Sequence, residues 1–230
     1  MTKLRSSECF DDAYLSTLFH LIEQTSQSDK MEAWNQQAVL CAAILNDAWL
    51  YVTQNRPDDH PLITVLLQSR SSWRALGESL LFLLNRFTSP ASRVLLIKLC
   101  FAIISDPRST SLFFSNDLKV LLDMCLRELN DLPCLNRDTE NLRQAYLRLM
   151  VPLMTQTEYF SASDANHLSG WPNYKWNDVT QIATHLATEV QLQKDHNKSC
   201  PDEWAEKMTI RLDRLTSRLC TMVEKMKTKI

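Results

Sequence analysis

The sequence predicts an all-α protein, an armadillo/HEAT-like right-handed superhelix of stacked helix pairs, on three observations. Apolar residues recur at spacings of three and four over almost the whole chain, the signature of successive amphipathic helices. Gly77 and Gly170 are the only glycines in 230 residues, whereas sheets and phosphate-binding loops need glycine for positive-φ turns and for close backbone approach. The presumed helix pairs start at Met31, Ser72 and Asn116, about 41 and 44 residues apart, within the period of roughly 40 to 47 residues typical of armadillo and HEAT repeats.

The periodicity places helices at 10–26, 31–54, 61–69, 72–87, 91–105, 116–130, 138–156, 175–194 and 203–229. Arg56 and Pro57, followed by Asp58, Asp59 and His60, form the turn between the second and third. Ser89 followed by Pro90 puts a capping hydroxyl ahead of a proline suited to the first helical position. Asp106 and Pro107 end that helix, and Asn116 and Asp117 are candidate caps of the next. Pro201, Asp202 and Glu203 open the last helix with a fixed φ and two negative charges at the positive end of its dipole. The pair after Asn116 begins only near Lys175, so 157–174 reads as an inserted loop in a single helical domain spanning 1–230.

At 45% hydrophobic content the chain can bury a sizeable core without staples. A formal net charge of −2 provides no field that would gather phosphate backbones, so nucleic acid is not an expected partner. Seven scattered cysteines with no CxxC pair read as reduced thiols of a cytosolic protein. The first residues, MTKLRSSECFDD, lack the apolar core of a signal peptide, and the longest apolar run, Val39 to Leu45, is far too short for a membrane span.

Two glycines cannot build a GxSxG elbow or a P-loop, and the five histidines show no HExxH spacing. No enzyme activity, cofactor or metal is expected. Asp58, Asp59 and His60 offer metal-ligand atoms but sit at a turn, where a solvated loop is the simpler reading. His185 lies on a helix beside Ile182, Leu186 and Glu189, as a satisfied or surface histidine rather than a catalytic base.

From Ser92 the chain reads SRVLLIKLCFAIISDPRSTSLFFSNDLKVLLDMCLRELNDLP, then LRQAYLRLMVPLM from Leu142 to Met154. This order of blocks resembles the WISH/DIP/SPIN family of actin regulators. That family carries a run like SRVLLLK, an aromatic patch leading into Asn-Asp, a helix ending in Asp-Leu-Pro and a final LRxxYLR block. Arg93, Phe113, Asn116, Asp117, Asp131, Pro133 and Tyr146 are among the matching positions. PNYKWND, from Pro172 to Asp178, is a fainter echo, so the best match spans 92–190.

The resemblance implies an armadillo-repeat protein that binds the actin-related protein 2/3 complex and activates it without a preformed filament, nucleating linear filaments that seed branched networks. It also implies a cytoplasmic location at the actin cortex or endocytic patches. No SH3-like segment or proline-rich tail is present, so SH3 proteins would be reached only through regions absent here. An armadillo-like adaptor for other proteins is the rival reading.

Most matching residues have a structural explanation. Leu118, Leu121, Leu122, Cys125, Leu126 and Leu129 form a broad apolar face on the helix from Asn116. The stripe Lys119, Asp123, Arg127 is either a solvated face or a recognition ridge, and Arg143 and Arg148 join it as partner-binding candidates. Phe113 and Phe114 supply either a hydrophobic staple or an exposed anchor. Arg143 and Tyr146 are spaced to share one polar network. In the last helix Met208, Leu212, Leu215, Leu219, Met222 and Met226 form a short seam, available to dock on the array or to pair weakly with a second copy through 208–226. Arg211, Arg214, Arg218, Lys225 and Lys227 lie on its other side and suit an acidic partner.

Overall fold

Three helix starts in this protein, at Asp12, Pro90 and Glu203, fall where polar side chains cap them. In the computed structural model, which describes residues 11–53, 60–68, 70–109, 112–133, 136–157, 175–199 and 202–227, nine α-helices and no strand are present among the described residues. They are α1 (Asp12–Ser26), α2 (Glu32–Val52), α3 (Pro61–Gln68), α4 (Arg70–Arg86), α5 (Pro90–Ser105), α6 (Ser115–Asp131), α7 (Glu140–Thr155), α8 (Trp176–Ser199) and α9 (Glu203–Lys227). A 3-10 turn, Asp29–Met31, precedes α2. Asp11 caps α1 by accepting from the Ala13 amide at 3.0 Å, and Ser89 caps α5 by accepting from Ser92, with Pro90 in the first turn. Asp202 caps α9 by accepting from Trp204 at 2.9 Å. The bond from the Ala205 amide, followed by that from Trp204, holds its carboxyl below the usual range.

The described residues fall into two compact units, 1–117 and 118–230. In the first, α1 and α2 form a hairpin, α1 packs on α3 and α4, and α2 packs on α4 and α5. Its core gathers Leu15, Phe19, Ile22, Val39, Leu62, Leu66, Leu76, Leu80, Leu96 and Ile103, each at 1% exposure or less. Asn35 Nδ2 donates to the Ile22 carbonyl at 3.0 Å and to Thr25 Oγ1 at 3.1 Å, satisfying the buried end of α1 from α2.

In the second unit α8 and α9 form a hairpin and α9 also packs on α7. Pairing of this kind is consistent with an armadillo-like helical stack. Helix α8 runs past the expected 194 to Ser199 although its tail, QKDHNKS, has no apolar period. Polar bonds sustain it: Lys194 pairs with Asp213 at 2.9 Å, Lys198 with Asp195 at 2.9 Å, and Asn197 donates to Thr209 at 3.1 Å. Pro152 lies inside α7 and has no N–H to offer the Arg148 carbonyl one turn back.

Among the described residues no helix is long and apolar enough to cross a membrane. Apart from Thr157, the expected 157–174 insertion lies outside the described residues, as do Asp58 and Asp59. Cys100 and Cys125 are buried free thiols, and burial pushes Cys100 up to about 12, leaving it a small apolar group rather than a nucleophile.

Candidate partner-binding surfaces

His60 corrects the solvated-turn reading. It is 3% exposed, its ring lies 5.9 Å from that of Trp49, and its Nε2–H donates to Asn46 Oδ1 at 3.0 Å. Burial lowers its pKa to about 4, against a smaller opposing pull from the Asp106 carboxylate. Among the described residues no three His, Cys, Asp or Glu side chains gather as metal ligands.

The two phenylalanines before α6 divide the roles that the sequence offers them jointly. Phe113 is 3% exposed and lies against α4, with its ring 3.7 Å from where a Cβ on Gly77 would stand. Phe114 is 57% exposed, and the Arg74 guanidinium sits 5.9 Å from its ring centroid. Helix α6 starts at Ser115, one residue early, so Asn116 and Asp117 lie inside the first turn rather than before it. Asp117 still contributes to the cap, its Oδ2 accepting from the Phe114 amide at 3.2 Å, which is the carboxylate half of a capping box. Arg93 is half-buried in the first turns of α5, and Asp131 and Pro133 are exposed where α6 ends.

The candidate ridge on α6 is only partly exposed. Lys119 and Asp123 are half-buried, and Arg127 is exposed with Nη2 3.3 Å from Glu128. Arg143 does not belong to any surface. It is 1% exposed, donates through Nη1 to the Leu132 carbonyl at 2.8 Å, and pairs through Nη2 with the Glu189 carboxylate. The turn after α6, the first turn of α7 and the middle of α8 thus meet on one guanidinium, and His185 lies 3.4 Å from the other oxygen of Glu189. Tyr146, one turn on, is fully buried.

Arg148 stands on the outside of the same helix. It is exposed, but burial of its inner part, followed by the charges of Arg211 and Arg218 on α9, lowers its pKa. Arg211, Arg214 and Arg218 are all exposed. Each precedes a seam residue, Leu212, Leu215 or Leu219, so the cationic stripe flanks the apolar one. The seam itself is closed: Met208, Leu212, Leu215, Leu219 and Met222 are at most 9% exposed within the unit, where α9 packs on α7 and α8. Of the two roles open to the seam, its described side chains take the one of docking within the unit. The side chains of Met226 and Lys227 lie outside the described residues.

Comparison with known proteins places the chain. The family described as SPIN90/Ldb17, leucine-rich domain, matches residues 31–167, more than half of the chain and reaching back well before Ser92. Protein dip1 of Schizosaccharomyces pombe is 29% identical over 152 residues, covering 64% of this chain and 40% of that protein. Protein LDB17 of Saccharomyces cerevisiae is 22% identical over 174 residues, covering 74% of this chain and 33% of that protein. The chain thus spans well under half the length of these curated relatives. With four ordered blocks, an all-helical fold and a family match over residues 31–167, this chain belongs to the SPIN90/Ldb17 leucine-rich domain family.

Proposed function

We propose that the chain binds the actin-related protein 2/3 complex and favours its active arrangement without a preformed filament, so that linear actin filaments form and seed branched networks. The family match over residues 31–167 carries this reading, through the activity that the resemblance implies. The work is physical rather than covalent: a protein that binds the active arrangement more tightly than the inactive one shifts the population toward it. Helices packed around Arg143 and the closed α9 seam suit that task, since a preorganised surface loses little entropy on binding. A stable contact would bury about 800 Å² on each partner. Its setting is the cytoplasm, at the actin cortex or endocytic patches. SH3 proteins would be recruited through regions outside this chain.

Pyrene-actin polymerisation with purified actin-related protein 2/3 complex, and with neither a nucleation-promoting factor nor filament seeds, tests the activity. The lag should shorten as the chain is titrated in. A constant lag together with retained pull-down of the complex would reduce the role to binding. Loss of both would leave an adaptor for other proteins.

A further inference from the structure

We propose that the arginine face shared by α7 and α9, centred on Arg148, Arg211 and Arg218, docks an acidic helical segment of a protein partner. The surface is assigned here whatever complex that partner belongs to, so it stands apart from the proposal about actin nucleation.

Exposed arginines are concentrated on this face. Arg148, Arg211, Arg214 and Arg218 have no carboxylate partner among the described residues. Two acids of α9 pair with lysines, Asp213 with Lys194 at 2.9 Å and Glu203 with Lys207 at 2.5 Å, and Asp202 just ahead of the helix pairs with Arg137 at 3.3 Å. Helix α9 packs on α7, and Arg148 feels the charges of both Arg211 and Arg218. An incoming anion would offset both the partial burial of Arg148 and the two neighbouring positive charges that it feels.

The spacing describes the partner. Arg211 and Arg218 are two helical turns apart, about 10.5 Å along the axis, and Arg214 lies between them in sequence. An α-helix carrying carboxylates at i, i+3 or i+4, and i+7 repeats those distances along one face. Guanidinium groups pair with carboxylates in a bidentate fork that lysine cannot form. A polyphosphate backbone or an anionic membrane is a poorer fit. Binding of either draws on an extended positive field, and the chain has a formal net charge of −2, with Glu206 and Asp213 on the same helix.

The test is fluorescence anisotropy with a labelled helical peptide of alanine and glutamate, its glutamates at i, i+4 and i+7. The whole chain is titrated at low and at physiological ionic strength. The expected result is saturable binding that weakens with salt and falls about tenfold or more in Arg211→Gln/Arg218→Gln. Arg148→Gln should weaken it less, and Lys30→Gln, an exposed position just ahead of α2, should leave it unchanged. Circular dichroism checks that each variant stays folded, as expected for exposed positions. No binding by the parent chain, equal binding by the double variant, or tighter binding to phosphatidylserine vesicles or duplex DNA than to the peptide would each overturn the proposal.

Discussion

Arg143 and Arg148 lie five residues apart on α7, within the same LRQAYLRLM block, and have opposite roles. Arg143 is 1% exposed and bonded through its two terminal nitrogens to Leu132 and Glu189, whereas Arg148 reaches solvent with two further arginines beside it. The inner guanidinium joins three segments of the chain, and the outer one leaves its charge to be met from outside. Residues that match a family pattern therefore separate into those that hold the scaffold and those that face solvent, and chemical type alone does not sort them.

The largest expected effect breaks the inner side of this contrast. Arg143→Ala should lower stability by about 3–5 kcal/mol, because it leaves Glu189 uncompensated and a carbonyl unsatisfied. Arg143→Met, which fills the volume, should cost less; urea denaturation of both variants reads the difference, and equal losses would mean that the lost charge pairing rather than packing dominates.

His60 provides a second interior polar group with a distinct signature. Its folded pKa of about 4 lies below the ordinary histidine value of 6.5, so the unfolded chain binds more protons between those values. Its contribution is present above about pH 6.5 and is lost as pH falls toward 4, reaching roughly 3 kcal/mol. Denaturant midpoints across that window should fall in the parent chain and fall less in His60→Gln; parallel profiles would remove His60 as the cause.

The smallest effect sharpens the outer side. Arg211→Gln relieves repulsion at Arg148 and should raise stability by at most about 0.5 kcal/mol, opposite in sign to Arg143→Ala. Thermal melts at low and high salt should show that gain shrinking as salt screens the cluster.

Much of the helical framework was legible in the sequence, because caps such as Ser89–Pro90 and the spacing of Leu118, Leu121 and Leu122 are local signals. The tail of α8 was not, since its stability comes from Asp213 and Thr209 on α9. The burial of Arg143 left a trace: it falls at i−3 and i−4 to Tyr146 and Leu147, on the side of α7 that the core takes. Its charge suggested a surface, and Glu189, a residue 46 positions away, makes burial tolerable. His60 was hidden for a similar reason, being set in a turn whose cover comes from Asn46 and Trp49 on α2. The cluster at Arg148 depends on how α9 is aligned against α7, which no local pattern encodes.

Single-filament fluorescence microscopy tests the proposed function most directly. Actin, purified actin-related protein 2/3 complex and the chain are combined without filament seeds or any other activator. The number of new unbranched filaments should rise with chain concentration and return to the actin-alone level when the complex is omitted. Equal filament numbers with and without the chain, in the presence of the complex, would contradict the proposal.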